Sequence, residues 1–368
     1  MKTPLFDEHV ALGARMVDFA GWEMPVLYLP SGGQGGGIIK EHIYTREHAS
    51  IFDTCHMGTF ELSGQTAESD LGRLITQSVS SLKIGACSYG YLLADDGGVL
   101  DDLICFRRSN DCFWLVVNAG TKSDDAAWIK QHLSAGTSFT DCSSGMAKLD
   151  IQGPSSKEQM EQALDIELPN LKYFHFQEIT VCGISCTLSR TGYTGEWGYE
   201  LFLPADQVER IWKKCIEKSD IQPAGLGARD SLRMEMGYPL YGHELGKDRM
   251  PVGASGSRFI DMSGPFIGKE VIQRELENGE VRVLVGLLLE GRKSARPHDK
   301  VINNNAIAGE VTSGLFSPSL NKAAALAYVD KELSQPGQEL EVEVRGKALP
   351  VKVEELPFYK KGSVVRGQ

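Results

Sequence analysis

The stretch GGVLDDLICF, residues 97–106, sets two adjacent carboxylates, Asp101 and Asp102, between a Gly-Gly turn and an apolar run. In an extended strand neighbouring side chains point to opposite faces. Val99, Asp101, Leu103 and Cys105 are therefore expected on one side, and Leu100, Asp102, Ile104 and Phe106 on the other. Both faces turn apolar beyond the pair, so the stretch reads as a strand entering a sheet that is covered on both sides. At least one carboxylate is then expected to face a partly enclosed space, where it needs donors, a cation or a ligand. The alternative is a solvated turn with both aspartates in water.

Similar apolar runs bounded by turn residues, DCFWLVVNAG (111–120) and VRVLVGLLLEG (281–291), read as buried strands. The segment ELEVEVRGKALPVKVEEL (339–356) alternates Leu340, Val342, Val344 and then Val351, Val353 around Arg345-Gly346-Lys347, the signal of an antiparallel hairpin. By contrast, DQVERIWKKCI (206–216) places Val208, Ile211, Trp212, Cys215 and Ile216 at helical spacing, with Asp206 expected as N-cap and Glu209 as its capping-box partner. The order of elements gives an α+β chain to about residue 276 and mainly β beyond it, joined by the charged stretch RELENGEV (274–281).

The chain has 368 residues, 42% hydrophobic and 24% charged, a composition and length suited to two or three globular domains. A net charge of −11 disfavours nucleic acid or an anionic membrane as partner, and no apolar stretch reads as a signal peptide or a membrane span. A cytoplasmic location is expected, or a mitochondrial matrix one if a presequence has been removed. The eight cysteines lie mostly in apolar runs without a C-x-x-C pair, so they are expected to be buried free thiols, and no metal site is expected. The patch SGGQGGG (31–37) fits neither a dinucleotide fingerprint nor a P-loop, and reads as a flexible or ligand-covering loop.

The chemistry left to the sequence is carboxylates, tyrosines and arginines beside glycine turns. SRTGYTGEWGYELFLP (189–204) has glycines at 192, 195 and 198, which allow close backbone approach to a ligand, with Tyr193, Glu196 and Glu200 projecting from the turn. In PAGLGARDSLRMEMG (223–237) Arg229 enters a helix near its N-terminus, where the dipole disfavours a cation, so another partner is expected for it. Glu235, between two methionines, reads as a solvated helix residue. His56 and His243 are open to either a structural or an acid–base role, and His42 and His48 are too far apart to share a helix face as a metal pair.

Taken together and in order, TPLFDEHVALGARMVDFAGWEMPV, IFDTCHMG, GGVLDDLICF, VVNAG, LDIQGP, SRTGYTGEWGYE, PAGLGARDSLRMEMGYPLYG, GEVTSGLFSPSLNKAAALAYV and LPFYKKGSVVR resemble the T-protein of the glycine cleavage system, from residue 3 to about 366. The resemblance implies a three-domain cloverleaf around a central tetrahydrofolate pocket. The first domain would comprise 1–53 and 139–245, the second 54–138 and 246–276, and the third, a β-barrel, 281–368. It implies an aminomethyltransferase that moves the methylene of an aminomethyl group on the lipoyl arm of H-protein to tetrahydrofolate and releases ammonia, with no metal. By motif, Asp102 becomes the catalytic carboxylate, and Tyr89, Tyr193, Glu200, Arg229, Arg366, Asn118 and Met57 the pocket residues. A pterin presents an N–H and an amino group side by side, which one carboxylate such as Glu200 can accept. The sequence departs from the family pattern at PVLYLPSGGQGGGIIKEH, at Cys55 and at RMPVGASGSRFID (249–261), where an acidic residue is lost and Arg258 replaces an aromatic. Two further readings therefore stay open: a related tetrahydrofolate-dependent methyltransferase or demethylase with a small methylated donor, and a non-enzymatic folate-binding accessory protein.

Overall fold

The computed structural model describes residues 1–29, 36–279 and 281–364. A six-stranded sheet has the order Phe176–Val181, Ile184–Ser189, Gly198–Pro204, Met146–Gln152, Ser50–Asp53, Gln222–Pro223. In its strand Met146–Gln152, Ala147, Leu149 and Ile151 pack with Val208, Ile211, Trp212 and Cys215 of the helix Val208–Lys218. The alternate residues Lys148, Asp150 and Gln152 are equally buried but polar, so this strand carries a core face and a chemical face.

A five-stranded sheet follows the order Cys87–Leu93, Val99–Arg107, Cys112–Val117, Gly58–Ser63, Ser138–Asp141. Its last strand pairs with Gly58–Ser63, so the chain returns to the first sheet after Asp141, not at 139. One face packs on helices Ala67–Leu74 and Lys122–Gln131 through Leu71, Leu74 and Ile129. The other face turns to the six-stranded sheet, where Phe106 meets Phe176 and Phe202 with ring centroids 5.1 and 5.5 Å apart. The segment after residue 245 returns to this region: Leu245, Phe266 and Ile272 cluster with Tyr91, Leu93 and Val99.

The remaining strands close a barrel in the order Arg282–Leu289, Lys322–Asp330, Ala306–Ser317, Lys300–Asn303, Glu339–Val344, Lys347–Glu354. Its interior is filled by alternate small and branched residues, among them Ala323, Ala325, Ala327, Val342 and Val351. The opposite parity on the strand Lys322–Asp330, Ala324 and Leu326, packs outward against Met234 of the helix Leu226–Glu235. The hairpin expected near 345 has a two-residue turn, with Arg345 at φ 53° and Gly346 at φ 72°, the left-handed pair a tight hairpin requires.

Several expectations need correction. The helix expected from Asp206 begins with a 3-10 turn, Ala205–Gln207, and Gln207 sits at its N-cap without a side-chain bond, while Glu209 pairs with Lys213 at 2.6 Å. The join expected at 274–281 is mostly helix, Lys269–Asn278. All eight cysteines are free, but Cys112, Cys142 and Cys182 are partly exposed. Most of the Gly-rich patch lies outside the described residues; Gly36 and Gly37 both donate their N–H groups to the Tyr28 carbonyl.

Candidate active site

The strand Val99–Arg107 carries the acidic pair with one irregularity. Its register with Cys87–Leu93 shifts between Leu92 and Leu93, so Asp102 pairs with Tyr91, Asp101 with Leu92, and Val99 with Leu93. The extra residue is Leu100. This β-bulge moves Val99 onto the Asp102 side, in contrast to simple alternation, and leaves the two aspartates on opposite faces. Asp101 turns toward the helix Lys122–Gln131 and is 0% exposed, which overturns the solvated-turn alternative. Asp102 turns toward the six-stranded sheet and stays partly accessible.

Asn118, at the end of the strand Cys112–Val117, bridges both carboxylates. Its Nδ2 donates to Asp101 Oδ1 at 2.8 Å and to Asp102 Oδ1 at 2.9 Å, and its backbone N–H donates to Asp101 Oδ2 at 3.0 Å. Tyr89 donates its hydroxyl to Asp102 Oδ2 at 2.9 Å. No ion pair reaches Asp101, Asp102 or Asp125 among the described residues. Burial, then the Asp101 charge, push the Asp102 carboxyl up to about 7 against the opposing bonds from Tyr89 and Asn118. Asp102 can therefore both hold and release a proton near neutral pH.

Across the interface lies a second pair of acids with the opposite surroundings. Glu200 and Asp150 are direct cross-strand partners on Gly198–Pro204 and Met146–Gln152. Lys148 Nζ lies 2.5 Å from Glu200 Oε1, Thr191 donates to Glu200 Oε2 at 2.5 Å, and Arg229 pairs with Asp150 Oδ2. Gln152 Nε2 completes the set by donating to Asp150 Oδ1 at 2.6 Å. Burial raises the Glu200 pKa, but the Lys148 charge and hydrogen bond outweigh it and hold Glu200 below the usual carboxylate range. Lys148 also meets Met57 Sδ at 3.5 Å, and the Arg229 guanidinium lies 5.1 Å from the Tyr193 ring centroid. Tyr193 donates its hydroxyl to the Pro239 carbonyl and stacks on Tyr238 at 5.8 Å.

Tyr89, Asp102 and Asn118 thus form one group, and Met57, Tyr193, Glu200 and Arg229 a second on the facing elements. Asp102 and Tyr193 are near enough for the aspartate charge to raise the Tyr193 pKa, although burial is the larger cause. Arg366 lies outside the described residues. The partner expected for Arg229 is Asp150. The motif glycines, however, do not open the backbone to a ligand: a Cβ on Gly192 or Gly198 would lie 2.1 or 2.4 Å from the Gln152 side chain, and one on Gly195, at φ +79°, 2.3 Å from Met236 Sδ. They make room for internal side chains.

Glu196 and Glu235 are not solvent-facing either. Arg46 reaches Glu196 Oε1 and Glu235 Oε2, both at 3.0 Å, and His42 Nε2 lies 3.1 Å from Glu235 Oε2. Ser317 and the Ser319 N–H donate to Glu235 Oε1 at 2.5 and 3.1 Å, and the Ser363 hydroxyl donates to Glu196 Oε2 at 2.7 Å. This knot ties the first sheet's helices to the barrel. His243 Nδ1 donates to the Thr312 carbonyl at 3.0 Å, a structural role. Burial, with help from Arg229 and Lys148, pulls the buried His56 down to about 4, so it is neutral at pH 7 and no proton donor of the imidazolium kind.

Sequence reading missed Lys148, Asp150 and Gln152. Their signal was present in MAKLDIQ (146–152), where polar residues recur at every second position of a strand whose other face is apolar. It also missed Asp125, buried behind Asp101. Among the described residues no group of three or more His, Cys, Asp and Glu is placed to hold a metal, and no helix is long and apolar enough to cross a membrane.

Two facing sheets with a partly accessible carboxylate between them, and a closed barrel beyond, frame the site, and comparison with known proteins gives the class, an aminomethyltransferase. The family model for the GCVT N-terminal domain matches residues 5–264, and that for the glycine cleavage T-protein C-terminal barrel domain matches 282–360. Aminomethyltransferases of Desulfitobacterium hafniense and Bacillus subtilis are each 39% identical to it, over 98% of this chain and 98% and 99% of theirs. The crystal structure of glycine cleavage system aminomethyltransferase T from Bartonella henselae superposes with a TM-score of 0.92 at 32% identity, covering 98% of this chain and 99% of that one. The chain belongs to the glycine cleavage T-protein family.

Proposed function

We propose that this aminomethyltransferase takes the aminomethyl group from the lipoyl arm of H-protein and gives its methylene to tetrahydrofolate in the space between the two sheets, with Asp102 as the catalytic carboxylate. The observation that carries the reading is Asp102 itself: partly accessible, held on the side of the facing sheet by Tyr89 and Asn118, and free of any ion pair among the described residues. In the overall reaction the carbon–nitrogen and carbon–sulfur bonds of the donor break and two bonds from folate nitrogens to the methylene form. The two hydrogens lost from those nitrogens leave in ammonia and in the lipoyl thiol. Positive charge develops at the methylene carbon on the way, and a fixed carboxylate beside it stabilises that charge and orients the attacking amine. A carboxyl near 7 also matches the proton traffic at neutral pH.

The other group suits the folate ring. Tyr193 and Tyr238 supply flat faces, and each Glu200 oxygen keeps a lone pair beyond the one given to Lys148 or Thr191, so Glu200 can still accept from a pterin while sharing those donors. Tyr89, Asn118, Met57, Arg229 and Arg366 complete the proposed pocket, and the three domains are those the family resemblance implies, with the boundary at 138/139 moved past Asp141. A cytoplasmic enzyme without a metal is the form proposed. The departing segment 249–261 still serves this site, since Phe259 packs edge-on against Tyr89 at 4.7 Å. The test supplies the purified chain with tetrahydrofolate and either aminomethylated H-protein or small methylated amines. Ammonia and 5,10-methylenetetrahydrofolate from the first are expected. Production of 5-methyltetrahydrofolate from the second, with nothing from the first, overturns the reading in favour of a demethylase.

A further inference from the structure

Behind the proposed catalytic carboxylate lies a contact that the transfer chemistry does not by itself require. Asp125, in the first turn of the helix Lys122–Gln131, is 1% exposed, and its side chain comes within hydrogen-bonding reach of Asp101, itself fully buried. Among the described residues no hydrogen-bond donor reaches the buried Asp125 Oδ2. Two carboxylates cannot bond to each other. A carboxylic acid and a carboxylate can, and a proton between them gives the orphaned oxygen its partner.

We infer that Asp125 is a positioning residue for the transfer: its carboxylate accepts a proton held on Asp101, so that the charge of the pair sits on Asp125, on the far side of Asp101 from Asp102. The surroundings favour this state. The groups that face the pair are Asn118, bonded to Asp101 through both of its nitrogens; Thr121 at the start of the helix; Asp102 on the other strand face; and Tyr241 and Asp124 at the rim. Lys247, the nearby cation, is engaged at the surface with Asp124 at 3.3 Å. With no cation inside, two ionised acids in contact are strongly disfavoured, and burial raises both: Asp125 to about 7, Asp101 well above its ordinary range. Asn118 then acts as the rigid link, since the amide that fixes Asp101 also fixes Asp102.

The inference rests on Asp102 being the catalytic group, so its test reads the carboxyls directly as well as through turnover. The full-length chain is labelled with ¹³C at aspartate Cγ and titrated by NMR, beside Asp125→Asn, Asp101→Asn and Asp125→Glu. In Asp125→Asn the new amide donates to Asp101 and keeps it ionised beside Asp102, so the Asp102 midpoint rises by about one to two pH units. In Asp101→Asn a neutral amide replaces a neutral acid, and the midpoint stays within about half a pH unit. Asp125→Glu restores the acid and brings the midpoint back toward that of the unaltered chain. The pH profile of turnover moves with the same signs. An Asp102 midpoint that stays put in Asp125→Asn, or that falls by about a unit or more in Asp101→Asn, overturns the inference. Should Asp125→Asn not fold, the unaltered chain decides: an Asp101 carboxyl still protonated at a pH where Asp125 has ionised is expected, and an Asp101 that ionises before Asp125 refutes the shared proton. Normal titration shifts without any aminomethyl transfer would instead sink the functional reading alone.

Discussion

The two faces of the site each bury a pair of acids, and they solve the same electrostatic problem in opposite ways. Asp150 and Glu200 are matched by Arg229 and Lys148, which hold Glu200 below the usual carboxylate range, although burial outweighs the Arg229 charge and raises Asp150. Asp101 and Asp102 have an amide and a phenol as neighbours and no ion-pair partner among the described residues, so their environment favours protonation. The first arrangement makes a fixed charged surface suited to recognition. The second makes a carboxyl whose state can change during a reaction, which is the property transfer needs.

The sharpest way to break this contrast is to take a cation from the balanced side. Lys148→Met leaves two buried acids with one guanidinium and is expected to destabilise the chain by about 3 kcal/mol, read as a lower urea midpoint. A loss below about 1 kcal/mol would mean that Glu200 simply takes up a proton and that the sides differ less than claimed. Next in size, Asp102→Asn keeps the shape and removes the titrating group, so turnover should fall about 10²-fold while folate affinity changes less. Steady-state kinetics showing near-normal turnover would move the catalytic role elsewhere. Smaller again, Glu200→Ala should weaken tetrahydrofolate binding by about 1–3 kcal/mol in calorimetry, and unchanged affinity in a folded variant would remove Glu200 from the pocket.

The smallest effect is a difference of slope. A native Asp102 raised to about 7 binds more protons than its unfolded counterpart, so its contribution to stability is present at low pH and is lost as pH rises from about 4 through 7. Glu200 has the opposite sign: held low, it contributes above its ordinary range near 4.5 and loses that contribution as pH falls. Asp102→Asn should therefore gain stability relative to the unaltered chain as pH rises from about 4 to about 7, measured by denaturant titration. A flat difference across that range would place the Asp102 pKa near that of an ordinary carboxyl.

What could be read from the sequence depended on whether the relevant partner was near in the chain. The Arg345-Gly346 hairpin and the helix Val208–Lys218 are written in local periodicity, and both formed where expected apart from the cap. The conflict of two charges entering a buried strand was also local, and it pointed to at least one carboxylate in an enclosed space; the choice of Asp102 came from the family resemblance. The bulge at Leu100 was invisible because it arises from register with another strand. Glu235 was misread as solvated because its partners stand at 42, 46, 317 and 319, far away in sequence. The glycines of the 189–204 turn had a visible backbone signal, but what they admit, Gln152 and Met236, comes from other strands and helices.

The buried knot around Glu235 also orders the birth of the protein. Arg46 and His42 can meet one oxygen of Glu235 as soon as residues 38–235 have been made, but the donors to its other oxygen, Ser317 and Ser319, emerge from the ribosome some eighty residues later. Until then the nascent first lobe carries an unfinished anion at the seam where the barrel will dock. Docking of the barrel thus completes the set of partners around Glu235, and a chain stalled before residue 317 lacks the two donors to its second oxygen.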